Sequence, residues 1–393
     1  MKPGTTRAGK RAYDQERHHA VAERLDAAVG WTGPVLCICK YRIAWVETID
    51  RKAARMSAVA VDVPVEILDG TACVRLHDEW ETLLQRSYNT RIFLTSTWFQ
   101  VWLRHFTDTT PYIVVGRDPS GELAAILPLQ VMQHGGRRVL SGLGDHNVSD
   151  YMDGIADKVE AENGLTELLR VALQNIPFDD LELRHVPSGS PLISAIRAVG
   201  TDLGLSVQVE DDEICPVAIL CNNWGGYLQM LSKKQRHEIR RKMRRTFEHS
   251  TWTWRTSETR GDVERDLEAF FRLHASSGGE KSQFMTDQMH GYFRDLAQTM
   301  HERDVLRLSV LQREGQDIAA LMGFSFRGRY MLYNSGYDVA HAAYNPGISA
   351  VSLMMQDAIR EGAIAFDFLS GNEPYKYQFG ASDTHTCRVF THG

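Results

Sequence analysis

Hydrophobic and polar positions along the chain follow the same order of patterns twice. In the first pass, helical spacing in HDEWETLLQRS and STWFQVWLRHF precedes three segments of strand character, PYIVVGR, LAAILPLQVM and VLSGLG. The turns DPSGE and HGGRR separate these strands, and the helix GLTELLRVALQNI then leads to the strand FDDLELRHV. The first pass therefore predicts the order α, α, β, β, β, α, β.

The second pass repeats this order with different side chains. Two helical segments, DVERDLEAFFRLHAS and TDQMHGYFRDLAQTM, precede the strands DVLRLSVLQ, IAALMGFSF and YMLYNSGYD, and the helix ISAVSLMMQDAIREG leads to the strand AIAFDFLSG. Corresponding elements lie roughly 185 to 195 residues apart, a separation too long for a solenoid repeat and typical of a duplicated domain.

A three-strand meander followed by a helical crossover predicts an α/β (α+β) fold with two tandem domains, each a mixed twisted sheet flanked by helices. The predicted divisions are an N-terminal appendage of undetermined structure (1–57), a first domain (58–215), a basic linker helix region (216–250) and a second domain (251–393). Ligands of such sheets commonly bind beside the N-terminus of the crossover helix, where the strand order switches.

Composition narrows the class of protein. The chain has 43% hydrophobic and 24% charged residues and a net charge of −6, which argues against binding nucleic acid over its whole surface. Its six cysteines contain no CxxC, so the sequence predicts neither a zinc site nor a disulfide framework. With no apolar stretch of membrane-spanning length and no secretory signal, we expect a cytoplasmic protein.

Asn345, Pro346 and Gly347 stand directly ahead of the second crossover helix. Asn at the N-cap and Pro at the first helical position suit a helix start, and Gly347, Ile348 and Ser349 would then present backbone N–H groups and about half a positive charge to an anion. The simpler interpretation is that these residues only begin a helix. The equivalent helix in the first pass follows the acidic stretch DKVEAENG, which would repel a phosphate, so the sequence favours an anion site in the second pass alone.

With these motifs the sequence resembles the GNAT acyltransferase superfamily, in particular its double-domain branch of CelD-like and FemABX-like proteins. The resemblance covers about residues 60 to 390 and rests on several segments. They are STWFQVWLRHF, GELAAILPL, SDYMD, LSKKQRHEIRRKMRR, and YNPGIS followed by FDFLSGNEPYKYQFG. The pyrophosphate loop of the superfamily aligns with Tyr344, Gly347 and Ser349, and this chain keeps its first glycine only.

The resemblance implies two GNAT-like domains, of which the second binds acyl-CoA at Asn345, Gly347, Ile348, Ser349 and Lys376. It also implies transfer of the acyl group to an amine or hydroxyl of a small-molecule, carbohydrate or cell-envelope precursor held between the domains. A FemABX-type aminoacyltransferase that uses aminoacyl-tRNA is an alternative, and so is a non-catalytic scaffold that binds anions. No membrane span is expected, and the sequence leaves the oligomeric state open.

Three residues at the end of the second crossover are candidates for catalysis. Asp367, between two phenylalanines, is either a buried structural acceptor or a general base, and Glu373 and Tyr375 follow in the next loop. In the family, the pair Tyr375 and Lys376 belongs to the signature, which favours Tyr375 as an acid for the leaving thiolate and Lys376 as a phosphate ligand. The simpler interpretation is an exposed polar loop.

The acceptor site is predicted from two further loops. His274, Glu280 and Lys281 lie where superfamily members line the acceptor pocket, although a single histidine there is more often a cap or a core residue. In the first pass, GLGDHNVSDYMDG brings together several acidic residues, but its spacing fits neither an EF-hand nor a zinc motif, so no metal is predicted. Asp150 and Tyr151 are instead candidates for acceptor binding.

The stretch SKKQRHEIRRKMRRTFE carries eight lysine and arginine residues, and with the preceding Leu231 it has one apolar stripe, formed by Leu231, Ile239, Met243 and Phe247. The first interpretation is a solvated linker helix. A second is binding of an anionic acceptor or of cofactor phosphates, and a third is binding of tRNA. Against tRNA, the segment lacks the interleaved aromatic residues typical of single-strand RNA binding.

Overall fold

The structure is a computed structural model that describes residues 64–144, 147–248, 251–276 and 284–391. The predicted appendage, residues 1–57, lies outside the described residues. Among the described residues, no helix combines the length and the apolar character that crossing a bilayer requires.

Helices cover both faces of one large sheet. The helices are α1 (Ala72–Arg75), α2 (His77–Arg86), α3 (Ser96–His105), α4 (Ala161–Asn175), α5 (Pro191–Leu203), α6 (Trp224–Met230), α7 (Lys233–Phe247), α8 (Arg260–Ser276), α9 (Asp287–Glu302), α10 (Pro346–Arg360) and α11 (Pro374–Gln378). Two 3₁₀ turns, Ile92–Leu94 and Val339–Tyr344, precede α3 and α10.

The strands of the described residues form a single mixed sheet. They are β1 (Val65–Leu68), β2 (Thr110–Arg117), β3 (Leu123–His134), β4 (Arg137–Gly142), β5 (Ile155–Ala156), β6 (Asp180–Pro187), β7 (Val207–Ile219), β8 (Trp252–Thr256), β9 (Leu306–Arg313), β10 (Gln316–Phe326), β11 (Arg329–Tyr337), β12 (Ala365–Asp367) and β13 (Ser382–Thr391). Their order is β1-β2-β3-β4-β6-β13-β7-β12-β11-β10-β9-β8, and β5 pairs with β3. Every helix and strand of the predicted double layout is present, so the predicted fold class is confirmed.

The hairpins form where the sequence places residues that accept left-handed backbone. Gly135 and Gly136, between β3 and β4, have φ of 58° and 82°, and Glu314 and Gly315, between β9 and β10, have φ of 51° and 85°. Two successive residues with positive φ make the type of tight turn that matches the twist of an antiparallel pair. These turns fix the register of the meander in each half.

The last strand of each half pairs with the other half. After the first crossover strand β6, the chain passes through α5 into β7, which pairs antiparallel with β12 of the second half. The C-terminal strand β13 pairs in turn with β6 of the first half and with β7. The expected division after residue 215 therefore falls inside β7, one of the two strands that join the halves.

A hydrophobic cluster shared by both halves covers one face of the sheet. Trp98 of α3 packs edge-to-face on Phe324 and on Tyr333 of the second half, with ring centroids 5.6 and 5.7 Å apart. On the opposite face, α4 and α5 cover the first half, and α6, α7 and α10 cover the second. The shared cluster holds α3, α8 and α9 together.

Candidate active site

The strands β11 and β12 pair for three residues and then diverge. Arg329–Met331 of β11 pair in parallel with Ala365–Asp367 of β12. Beyond these pairs β11 continues to Tyr337, whereas the segment after β12 turns away at Phe368. A register shift between Met322 and Gly323 of β10 leaves Tyr333 as an extra residue on β11, and such a bulge bends a strand away from its neighbours. The divergence therefore opens a gap at the end of β12.

A cavity of about 180 Å³ lies in this gap. The second half supplies residues 368–370, Tyr333 and Asn334, and the aromatic side chains of Phe284 and Phe293 cover one side. The first half closes the cavity with residues 147–150. The two halves thus enclose one cavity, in the position expected for an acceptor.

Contacts from both halves fix the closing loop. The Tyr333 hydroxyl donates to the Val148 carbonyl at 2.8 Å, and Trp98 Nε1 donates to Ser149 Oγ at 2.9 Å. The ring of His185 from β6 lies 3.2 Å from the Ser149 carbonyl. These bonds hold Asp150 at the cavity wall.

Asp150 is the carboxylate that lines the cavity. Burial raises its pKa, and the opposing influences are the nearby His185, a hydrogen bond from Ser370 and the more distant charge of Lys376. Asp367 adds to the rise through like-charge repulsion. A carboxyl group with a raised pKa beside a bound acceptor has the properties of a general base.

Asp367 lies behind the cavity in a fully buried ion cluster. It accepts from Arg91 Nη1 at 3.1 Å, from Arg329 Nη1 at 3.0 Å and from the Tyr151 hydroxyl at 3.0 Å. The Leu369 N–H donates to it as well, at 3.0 Å. No part of Asp367 is exposed, which favours the buried structural acceptor over the general base, the two interpretations that the sequence leaves open.

Tyr151 belongs to the same cluster rather than to the cavity wall. The Arg91 guanidinium lies 3.9 Å from its ring centroid, and the side chain is 1% exposed. Tyr151 also has φ of 54°, so the chain reverses directly after Asp150. Tyr151 therefore holds the neighbouring Asp150 in place through its buried contacts. This position differs from the expected contact with an acceptor, because Tyr151 does not line the cavity.

Lys376 clamps the loop after β12. Its ammonium donates to the carbonyls of Leu369, Ser370 and Gly371 at 3.2, 2.7 and 2.8 Å, and it pairs with Glu373 at 2.9 Å. The side chain is 2% exposed. The expected contact with phosphate therefore needs correction, because all the donors of this ammonium are used to hold the cavity-lining loop.

Tyr375 and Glu373 frame the same loop. The Tyr375 ring packs edge-to-face on Phe368, with centroids 6.1 Å apart, and burial raises the pKa of its phenol. The hydroxyl therefore stays protonated at neutral pH. Glu373 precedes α11 at its N-cap, and its side chain is more than half exposed.

The start of α10 matches the predicted position, with one change at Ser349. Asn345 occupies the N-cap with φ of 56°, its side chain makes no capping bond, and Pro346 takes the first helical position. The Ser349 N–H already donates to the Asn345 carbonyl at 3.2 Å, and its hydroxyl lies 2.6 Å from Thr246 Oγ1. Ser349 is fully buried, and its N–H makes the first hydrogen bond within the helix. The backbone N–H groups at the helix start that come before this bond belong to Gly347 and Ile348.

The basic helix α7 ends beside this helix start. Thr246 Oγ1 donates to the Tyr344 carbonyl at 2.6 Å, and Ile239 and Met243 pack on the second-half core, as the apolar stripe predicts. Phe247, the last residue of that stripe, is instead 38% exposed. Lys233, Lys234, Arg236, Arg240, Arg244 and Arg245 form no ion pair with another described residue.

An aromatic and cationic cluster adjoins α7. The Arg313 guanidinium lies 4.2 Å from the Tyr344 ring centroid and 5.9 Å from that of Trp252. The Trp252 ring in turn meets Phe247 edge-to-face, with centroids 6.2 Å apart. Aromatic residues are thus present beside the cations, although they come from other segments of the chain.

The remaining predicted residues lie apart from the cavity wall or outside the described residues. His274 is 1% exposed and contacts Phe284, which lines the cavity, with ring centroids 6.3 Å apart. Glu280 and Lys281 lie outside the described residues. In the described ranges, His185, Asp212 and Glu213 lie close enough to hold a metal ion, but Asp212 already pairs with Arg184.

Sequence reasoning does not identify several residues that form the cavity. Tyr333 lines the cavity because of the bulge in β11. Phe293 lines it from α9, and Phe284 lines it from the segment before α9. His185, behind Asp150, comes from β6 of the first half. The pattern YMLYNSGYD gives no signal for a bulge, since its alternation is that of an ordinary strand.

Comparisons with known proteins relate this fold to the GNAT acetyltransferases, the superfamily that the sequence resembles. The family model for the acetyltransferase (GNAT) domain matches residues 233–377, which include α7, α10 and the end of β12. No curated protein matches the sequence.

Several solved structures share the double-domain fold. FemX is similar to this chain with a TM-score of 0.58 and 11% identity, over 80% of this chain and 95% of FemX. A conserved protein of unknown function from Bacteroides thetaiotaomicron has a TM-score of 0.54 and 11% identity, over 84% of this chain and 100% of that protein. The C-terminal domain of a putative lysylphosphatidylglycerol synthetase from Agrobacterium fabrum has a TM-score of 0.51 and 10% identity, over 82% of this chain and 92% of that domain.

Proposed function

We propose that the protein is an acyltransferase that moves an acyl group from acyl-CoA to an amine or hydroxyl of a small-molecule, carbohydrate or cell-envelope precursor. The observation that supports this function is the cavity at the divergence of β11 and β12, in the same half as the helix start at Gly347. A thioester laid between the two strands would have its pyrophosphate at this helix start, where backbone amides and the helix dipole favour an anion. The acceptor would fill the cavity.

The reaction needs a base, donors for the oxyanion and an acid. Asp150 would take the proton of the acceptor as the new bond forms to the thioester carbonyl carbon. Backbone N–H groups of β11 beyond the three residues that pair with β12 would stabilise the oxyanion. As the C–S bond breaks, Tyr375 would give a proton to the thiolate.

Coenzyme A tests the donor site directly. We expect CoA to raise the Tm by several degrees, because a ligand that binds only the folded state stabilises it. Acetyl-CoA incubated with a panel of amines and sugars should then give an acylated product by mass spectrometry. A protein whose Tm is unchanged by CoA would instead support a non-catalytic scaffold.

Tyr375→Phe tests the acid. Loss of the hydroxyl should lower kcat more than it raises KM, because the proton is needed only when the thiolate leaves. Full activity in this variant would remove Tyr375 from the mechanism. The Phe ring retains the contact with Phe368, so the fold should be preserved.

Transfer from aminoacyl-tRNA is a second candidate function. It is favoured by the cations of α7 that form no ion pair with another described residue, and by the rings of Tyr344, Trp252 and Phe247 beside them, since stacking rings beside cations suit single-stranded RNA. The matched test is the Tm with charged tRNA and with CoA. A shift with charged tRNA alone would favour this second function, and Arg244→Glu with Arg245→Glu should abolish that shift.

A further inference from the structure

We infer that His185 is a positioning residue for Asp150, placed by a bulge in β6 that turns its imidazole toward the carboxylate at the cavity wall. The inference rests on the proposed function, because it adds a second residue to the step in which Asp150 takes the proton of the acceptor. The described residues that line the cavity do not include His185. It therefore acts through Asp150, without contact to either substrate.

The first argument is the bulge. Where β6 pairs with β13, the register shifts so that residues 184 and 185 stand opposite a single residue of β13. Leu181, Leu183 and Val186 pack in the hydrophobic cluster beneath α4 and α5, so Val186 takes the place that regular alternation would give to residue 185. His185 points toward Asp150 instead. Re-aiming of a side chain is a recurrent use of bulges next to active sites.

The backbone of His185 is held in this position. Its φ is 54°, a left-handed conformation that residues other than glycine seldom adopt. Asp212 of β7 accepts from the His185 N–H at 2.8 Å, and Arg184 donates to both carboxylate oxygens of Asp212. Such conformations persist where surrounding contacts impose them, and they concentrate at functional sites.

The second argument is the environment of the ring, which is 4% exposed. Nδ1 lies 3.2 Å from the Ser149 carbonyl, and because a carbonyl oxygen can only accept, Nδ1 carries a proton. The same nitrogen lies 3.8 Å from Asp150 Oδ1. One N–H group thus fixes the residue directly before Asp150 and faces the Asp150 carboxylate.

The other side of the ring faces a second carboxylate. Nε2 lies 3.9 Å from Asp212 Oδ2, and Glu213 has an oxygen within 4.8 Å of the ring. Burial acts to raise the pKa of Asp212, but hydrogen bonds from Arg184 and from the His185 N–H lower it below its usual value. An ionised carboxylate therefore lies behind the imidazole, in the way that a third group commonly orients a histidine of an active site.

The third argument is charge. Among the described residues, the titratable groups that interact with Asp150 come from four elements: His185 of β6, Cys215 of β7, Asp367 of β12 and Lys376 of α11. Burial raises the pKa of Asp150, and His185 is the strongest of the influences that lower it. The imidazole therefore favours the ionised form of Asp150, which is the form that can accept a proton. The proton on Nδ1 stays on the ring.

His185→Asn separates the hydrogen bond from the charge of the ring. Asn tolerates a left-handed backbone, and its amide N–H can take the place of Nδ1 toward the Ser149 carbonyl. The titration of Asp150 is followed by carboxyl ¹³C NMR on the full chain without ligands, and Asp150→Asn assigns the signal. We expect the midpoint to rise by about one pH unit in His185→Asn. It should stay unchanged in His237→Asn, the matched control at an exposed position of α7.

Acyl transfer gives a second readout. On the acid side of the midpoint, kcat should fall by about tenfold in His185→Asn, because one pH unit changes the ionised fraction by that factor. KM for acyl-CoA should stay the same, since His185 lies behind the acceptor side of the cavity. In the unmodified protein, ¹⁵N NMR at pH 8 should show a proton on Nδ1 of His185, a result that needs no variant to fold.

Three results would overturn the inference: an unchanged Asp150 midpoint in His185→Asn, a ring without a proton on Nδ1, or calorimetric binding of Zn²⁺ that His185→Asn abolishes. The last would make His185, Asp212 and Glu213 a metal site. CoA binding is measured in parallel. A raised midpoint in a protein that binds no CoA would refute the proposed function and support the hold of His185 on Asp150, whereas CoA binding with an unchanged midpoint would refute this inference alone.

Discussion

The two halves contain the same divergence of parallel strands, and only one divergence is open. In the first half, Val139–Ser141 pair with Asp180–Glu182, as Arg329–Met331 pair with Ala365–Asp367 in the second. The space beyond the first pair is about 20 Å³, against about 180 Å³ beyond the second. In this duplicated layout one divergence thus contains a cavity, and side chains fill the other.

Side chains and the neighbouring strand explain the difference. In the first half, apolar residues including Phe93, Leu143 and Leu192 surround the gap, and a Cβ added at Gly142 would lie 3.0 Å from Met152 Cε. The strand β6 also continues beside β13 to Pro187, well beyond its pairing with β4. In the second half the chain leaves β12 directly after Asp367, so no strand of the described residues fills the space.

The crossover helices differ in the same direction. The first, α4, begins after Glu160 and carries Glu162 in its first turn, whereas α10 begins after Asn345 and has no acidic residue in its first turn. Carboxylates at a helix start occupy the position that would attract a phosphate. Both the cavity and the helix start therefore support the proposed donor site in the second half.

The largest expected effect comes from residues at matched register positions, Asp367 and Glu182. Asp367→Ala should cost about 3 to 5 kcal/mol of unfolding free energy, because it leaves Arg91 and Arg329 buried without their partner. Glu182→Ala should change it by about 0 to 1 kcal/mol, since its pair with Arg388 is partly exposed. Urea unfolding of both variants checks this, and equal losses would refute the difference in burial.

Next in size is the effect of a carboxylate at the second helix start. Gly347→Asp should abolish binding of CoA and retain the fold, because a Cβ at this position would lie 4.0 Å from the Tyr337 ring, an ordinary contact. Asn163→Asp places the same charge in the first turn of α4 and should leave CoA affinity unchanged. Calorimetry with CoA decides, and undiminished affinity in Gly347→Asp would exclude this helix start as the phosphate site.

A third pair of variants opens the filled gap in the first half and fills the open gap in the second half. Leu143→Ala should lower stability by about 2 to 4 kcal/mol, because it opens a void in a packed core, and it should leave CoA binding unchanged. Ser370→Leu should lower stability by about 1 kcal/mol, because it removes the hydrogen bond from Ser370 to Asp150, and it should block the acceptor, since it fills the open cavity. Unfolding and acyl-transfer assays separate these results, and loss of CoA binding in Leu143→Ala would mean that the filled gap also supports the donor.

The smallest expected effect is the pH dependence at Asp150. Because burial raises its pKa, the folded protein binds more protons than the unfolded chain, and the resulting stability is lost as pH rises through the folded pKa. Asp150→Asn should therefore have the higher Tm at pH 8, and the difference should disappear near pH 4. A difference that is independent of pH would mean that titration of Asp150 does not limit stability.

Sequence patterns predict most elements, because periodicity reports which face of a helix or strand is buried. The start of α10 at Pro346 follows from local chemistry, since Pro and Asn have strong preferences at helix starts. In contrast, the patterns predict no strand for β7 or β13. These two strands join the halves, and their pairing partners lie far along the chain, as for Ser382 with Val217.

The candidate site shows the same division. The sequence brings attention to Asp150, Asp367 and Lys376 as chemically capable groups, but it does not distinguish a cavity wall from a buried ion cluster. That distinction depends on long-range contacts, such as Arg91 with Asp367 and Tyr333 with Val148. A pKa or an accessible donor depends on the surrounding dielectric and on neighbouring charges.

The sequence alone therefore determined a duplicated α/β layout, its tight turns and a helix start in the second half with no acidic residue, because each depends on residues close in the chain. The tertiary structure decided which divergence stays open, which carboxylate faces it and how the last strands are exchanged. These features depend on packing between segments far apart in sequence, and local pattern carries no information about such packing.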